Sequence, residues 1–129
     1  MRILLDTQAL LWLDSEPDRL SAAARVVIAD PGNIVAVSVA SVWEIRIKVA
    51  IGRLELDKDI SEIVREQQAV NLLEILPIEL RHADMLPRLP PIHKDPFDRI
   101  IVATAMADGY TLATADRTIL QYPVETLSI

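Results

Sequence analysis

The chain has no cysteine, and of its 129 residues only 3 are glycine and 4% are aromatic. The missing thiols exclude a disulfide framework, a thiolate metal site and a cysteine nucleophile. Few aromatics within a 51% hydrophobic composition mean an aliphatic core. Any membrane span would need about 18 or more consecutive apolar residues, and no such uncharged run occurs. The opening MRILLDTQALLWLD is apolar but broken by Asp6 and lacks a small-residue cleavage site, so it is not read as a signal peptide. A soluble, cytoplasmic protein without membrane attachment is the expectation. Positive charge is also short. The formal net charge of −6 argues against a protein that coats nucleic acid through a basic face. It leaves room for an acidic site loaded with cations, and for a basic protein partner.

What is present is an alternation of short apolar runs with helical patterns, in a length that suits one domain over residues 1–129. Arg2–Leu5, Ile34–Val37, Leu73–Leu76, Tyr110–Ala113 and Val124–Leu127 are predicted strands, and Arg53–Leu56 a possible edge segment. Helices are predicted between them. Ser21 caps one through Ala29, Ser38 or Ser41 caps the next through Gly52, and Asp59 caps another through about Val70. In the helix ending at Gly52, the inward stripe is expected to be Val42, Ile45 and Val49, widened by Trp43 and Ile47. Asp95-Pro96 opens the late helix as an N-cap carboxylate followed by proline at the first helical position, and Gly109 closes it. The predicted class is α/β: a mainly parallel sheet layered between helices.

Four acids recur at comparable places. Asp6 follows the first strand, Glu44 lies in the helix after the second, Asp98 is in the first turn of the late helix, and Asp116 follows the next strand. Strand carboxyl ends and the following helix amino ends share one edge of a parallel sheet, where ligands bind. Crowded carboxylates repel, or take up protons, unless a cation sits among them. All-oxygen donors suit Mg²⁺ or Mn²⁺, and such an ion can lower the pKa of a bound water and clamp a phosphodiester. Each acid also has a plainer role. Asp6 can cap the first helix, Glu44 can pair with Lys48 at i,i+4, Asp98 can belong to a capping box, and Asp116 can be a turn residue.

The blocks ILLDTQALLWL, SVASVWEIRIKVAIGRLEL and HKDPFDRIIVATAMADGYTLATAD together resemble the PIN domain, in particular the VapC-like toxins of toxin–antitoxin pairs. The likeness covers essentially the whole chain. It implies a three-layer α/β/α fold and a Mg²⁺- or Mn²⁺-dependent endoribonuclease. It also implies inhibition by a small cognate antitoxin and a homodimer. Carried over by block, Asp6, Glu44, Asp98 and Asp116 are the expected metal-holding catalytic acids, the last in a position that varies within the family. Thr7 and Thr114 stand where small hydroxyl residues support such a site. Gln8 departs from the subgroup's usual histidine without touching the carboxylates. Arg46, Lys48, His93, Arg99 and Arg117 are candidate substrate contacts, each with the alternative of a solvated charge or surface hydrogen bond. The rival readings are a partner-binding module with weak or lost nuclease activity, and a phospho-acceptor receiver domain. The receiver would want adjacent acids near the first strand's end, where Asp6 stands alone.

Overall fold

The computed structural model describes residues 1–92 and 94–129. Five short strands, β1 (Arg2–Leu5), β2 (Ile34–Ser38), β3 (Glu74–Leu76), β4 (Thr111–Thr114) and β5 (Thr126–Ser128), form one sheet in the order β3-β2-β1-β4-β5. All four pairings are parallel. Among the described residues six α-helices connect and cover them: α1 (Thr7–Ser15), α2 (Ala22–Ala29), α3 (Val39–Ala50), α4 (Ile60–Asn71), α5 (Leu80–Met85) and α6 (Pro96–Asp108).

Because side chains alternate along a strand, β1 feeds two cores. Ile3 and Leu5 pack with Leu10, Ile28, Ile45 and Ile63 on one face. Leu4 packs with Ile101, Val102 and Leu112 on the other. Those are the three layers expected of an α/β/α domain. The chain leaves β1 for β2 and β3 on one side, then returns to β4 on the other. The crevice at the carboxyl ends of β1 and β4 is therefore the topological switch point, where α/β folds bind ligands.

Local signals decide most boundaries. Ser21, Asp59 and Asp95 cap α2, α4 and α6 through their side chains. Gly109 ends α6 at φ 71°, a left-handed position that favours glycine. Of the two candidate caps for α3, Ser38 serves, accepting from Ala40 N–H at 3.0 Å. One expectation fails and another holds only in part. Arg53–Leu56 is irregular, with no strand pairing. The buried side of α3 is Ala40, Ser41, Glu44 and Ile45, whereas Trp43 is 57% exposed and Ile47 and Val49 also face solvent. The small residues Ala40 and Ser41 lie at its start, and α3 runs close to both α1 and α6. Ile45 is fully buried on that side as expected and Val42 packs against the core, whereas Trp43, Ile47 and Val49 turn outward.

Candidate active site

Asp6 has two tasks at the end of β1. Its carboxylate accepts the Ala9 N–H at 2.7 Å and so starts α1, and it is only 5% exposed on the floor of a cavity at the sheet edge. Burial pushes its pKa above the ordinary carboxylate value. Hydrogen bonds from Thr114 and the Ala9 N–H oppose that rise, while the charges of Asp116 and Glu44 add to it. Asp6 is thus close enough to feel two of the other three acids.

Glu44 is equally buried. It does pair with Lys48 one turn away, at 2.8 Å, but on the inward side of α3. Its other oxygen accepts from Thr7 Oγ1 at 2.6 Å. The Thr7 and Ser41 hydroxyls are 3.0 Å apart. The hydrogen bond to Glu44 raises the Lys48 pKa against partial burial, with smaller contributions from the charges of Glu44, Asp95 and Asp98.

Asp116 is indeed a turn residue. Its Oδ1 accepts from Thr118 N–H at 2.8 Å, and its own N–H donates to Thr114 Oγ1 at 3.0 Å. The same turn sets its side chain at the cavity wall. Thr114, fully buried beneath, thus serves both Asp6 and Asp116. Asp98 enters from the first turn of α6, whose start is fixed by Asp95 Oδ1 accepting from the Phe97 and Asp98 N–H groups.

The cavity, about 600 Å³, is lined by Asp6, Thr7, Glu44, Lys48, Asp98 and Asp116, so a single space gathers all four acids. Gln8, Asp95 and Arg53 also line it. Asp95 was expected only as a cap, and Arg53 was not singled out at all. The signal for Arg53 was Gly52. With φ 74°, Gly52 closes α3 through Gly52 N–H to Val49 C=O and Arg53 N–H to Lys48 C=O, which turns Arg53 back towards the site.

The other candidate contacts stand apart from the cavity. Arg46 forks onto Asp59 and reaches Ser61. Arg99 donates to the Pro90 and Leu86 carbonyls and to Tyr122. Arg117 is exposed beyond the rim. His93 lies outside the described residues. As the side chains stand, no three acids or imidazoles among the described residues close around one point tightly enough to hold an ion directly. No described helix is long and apolar enough to cross a membrane.

Residues 3–125 match the sequence model of the PIN domain. The chain is 35% identical over 122 residues to Ribonuclease VapC22 of Mycobacterium tuberculosis, covering 89% of this chain and 87% of that protein. Among solved structures, VapBC2 from Rickettsia felis bound to a DNA fragment from its promoter superimposes with a TM-score of 0.74 at 16% identity, over 99% of this chain and 98% of the other. FitAcB from Neisseria gonorrhoeae gives 0.62 at 23% identity, over 98% and 96%. A toxin–antitoxin complex from Klebsiella pneumoniae gives 0.61 at 23% identity, over 94% and 92%. At such identities these structures speak for the fold alone.

Proposed function

The chain belongs to the PIN-domain family, and we propose on that footing that it is a Mg²⁺- or Mn²⁺-dependent endoribonuclease, the toxin of a toxin–antitoxin pair. The observation that carries this is the gathering of Asp6, Glu44, Asp98 and Asp116, far apart in sequence, around one cavity at the switch point. The name of the mycobacterial relative, a ribonuclease, supports the reaction class.

The donor set fits a hard divalent cation, being entirely carboxylate oxygen. Direct ligation by three side chains is not preset, but Mg²⁺ keeps several of its waters and the cavity admits an ion with its hydration shell. Asp6, Glu44 and Asp98 would hold it, and Asp116 would act through a water or on a second ion. Glu44 would be held ready for the ion by Thr7 and Lys48. When bound, the ion supplies positive charge against the phosphodiester and lowers the pKa of a coordinated water.

The chain's own residues supply orientation. Ala9 N–H and Thr114 fix Asp6, the Thr114–Thr118 turn fixes Asp116, and Asp95 fixes the helix start that carries Asp98. These contacts aim the carboxylates before any ligand arrives, which is what preorganised catalysis requires. Hydrolysis would join a water oxygen to phosphorus and break the bridging P–O bond on the far side, the water giving up a proton and the leaving oxygen taking one up.

The partners in this reading are RNA and a small cognate antitoxin, basic where it meets the acidic cavity. Charge complementarity and the toxin–antitoxin complexes among the structural neighbours support that partner. A homodimer working in the cytoplasm completes the proposal. Purified protein freed of antitoxin should cut RNA with Mg²⁺, stop with a chelator, and lose cleavage on Asp6→Asn or Asp98→Asn. Unchanged cleavage in those variants would refute the assignment. The rival, a partner-holding module without nuclease activity, predicts no Mn²⁺ uptake by calorimetry at millimolar concentration.

A further inference from the structure

Beside the acid cavity lies a smaller annex of about 250 Å³ between α3 and the start of α6. Ile47, Ile51, Pro96 and Phe97 form its apolar surface. Ile51 is 60% exposed, and the Phe97 ring is braced edge-on by Trp43, centroids 5.0 Å apart at 84°. The annex opens into the acid cavity, with which it shares Glu44, Lys48, Arg53 and Asp95. Of the two cations on that border, Lys48 is committed to Glu44. Arg53 is exposed and has neither an ion pair nor a side-chain hydrogen bond among the described residues. In a chain of net charge −6, a guanidinium left unpaired beside so many carboxylates has its five donors open to an anion.

We propose that the annex seats the base of one unpaired nucleotide next to the scissile bond, and that Arg53 holds that nucleotide's phosphate. A phosphate fits because the neighbouring acids repel it and, among the described residues, Arg53 alone on that border is free to offset them, with the fork geometry that suits phosphate oxygens. A base fits because it has a flat apolar face for an aromatic ring and for Ile47 and Ile51. Proteins read single-stranded RNA by this kind of stacking, with bases splayed out of the strand. A base within a stem is stacked and paired, and has no way into so narrow a space. The inference rests on the endoribonuclease reading for its substrate, but its test does not depend on cleavage.

The test is binding of short fluorescent single-stranded RNAs by the full chain in EDTA, with an abasic site placed at each position in turn. Wild type should bind one abasic RNA about tenfold more weakly than its parent, the effect of losing one stacked base. Phe97→Leu should bind the parent RNA correspondingly weakly and lose nothing further to the abasic site. Arg53→Gln, whose folding is checked by melting, should weaken binding and flatten the salt dependence by about 0.7 in slope, one phosphate on a single strand. Arg53→Lys should keep that slope. Equal binding of every abasic RNA by wild type, or an unchanged slope in Arg53→Gln, would overturn the proposal. So would an Arg53→Gln variant that binds RNA normally but loses a protein partner, since the annex would then be a protein-docking surface. Absence of cleavage by wild type with Mg²⁺ would count against the nuclease reading instead, and the two failures are therefore distinguishable.

Discussion

Thr7 Oγ1 donates to the Glu44 carboxylate at 2.6 Å across 37 residues of chain, joining the first turn of α1 to the inward face of α3. An ionised carboxylate only accepts, and the Thr7 hydroxyl has one proton. That proton goes to Glu44, so the Ser41 hydroxyl, 3.0 Å away, donates to Thr7. Thr7→Val keeps the shape and removes the donor. It should cost about 1–3 kcal/mol, the usual consequence of leaving a buried polar group short of a partner. Thr7→Ser should restore most of it. A melting curve unchanged by Thr7→Val would mean that Lys48 alone suffices for Glu44.

Asp6 is a case in which the fold bears a cost for its site. Burial raises its pKa, so the ionised form is harder to reach in the native state than in the unfolded chain. Its ionisation opposes folding, and the penalty sets in as pH rises above the ordinary value of 3.8. Asp6→Asn removes the charge and can still cap α1 by accepting from Ala9 N–H. The variant should be as stable as wild type near pH 4 and more stable at pH 7, while losing RNA cleavage. Thermal melts at the two pH values decide it, and a variant less stable at pH 7 would contradict the electrostatic account.

The cation itself can be tested without catalysis. A ligand that binds only the folded state stabilises it by about 1.4 kcal/mol at ten times its Kd. Mn²⁺ should therefore raise the wild-type melting temperature, and EDTA should reverse the rise. In Asp6→Asn/Asp98→Asn the rise should vanish. An equal rise in both proteins would place the ion elsewhere.

The elements were legible in the sequence because their signals are local. The caps Ser21, Asp59 and Asp95 and the stop Gly109 act within a few residues of themselves. Joint placement of Asp6, Glu44, Asp98 and Asp116 on one edge was legible too, since parallel topology dictates it. The face of α3 was legible only at Ile45 and Val42. Apolar periodicity also put Trp43, Ile47 and Val49 inside, but they turn outward, and Ala40 and Ser41 are buried at the start of the helix. Glu44 turns inward because its partner Thr7 is 37 residues away, a distance no window of periodicity spans. Arg53 was missed because its position follows from the left-handed turn at Gly52 rather than from any strand or helix pattern.

Away from the cavity, α5 and α6 are joined by charge. Arg81 reaches Asp108 Oδ1 at 2.8 Å, and His82 Nε2 lies 2.7 Å from Oδ2. Glu79 N–H donates to His82 Nδ1, which leaves the ring proton on Nε2, facing Asp108. The bond from Arg81, then that from His82, lowers the Asp108 pKa to about 2 against partial burial. A lowered carboxylate pKa adds stability that is complete above the unfolded value of 3.8 and is lost as pH falls through about 2. Arg81 is half exposed, so solvent screening brings the effect down to about 1 kcal/mol. Asp108→Asn should therefore be less stable than wild type at pH 6, with the gap closing by pH 2. A gap that stays constant would rule this linkage out.

The two acids of the DPFD run are separable by the same kind of measurement. Asp95 caps α6 through the Phe97 and Asp98 N–H groups and also lines the cavity. Asp98 lines it from one turn further on, with no cap to maintain for Phe97. Asp95→Asn retains a capping oxygen and should lower stability by less than about 1 kcal/mol, whereas Asp95→Ala should cost about 1 kcal/mol or more. Asp98→Asn should leave melting close to wild type and abolish cleavage. Because Asp95 contributes charge to the cavity without being the acid assigned to the ion, Asp95→Asn should raise the Mg²⁺ concentration needed for half-maximal cleavage while leaving the rate at saturating Mg²⁺ near wild type. Loss of the saturated rate in Asp95→Asn, with melting unchanged, would place Asp95 among the metal-holding acids and undo the division.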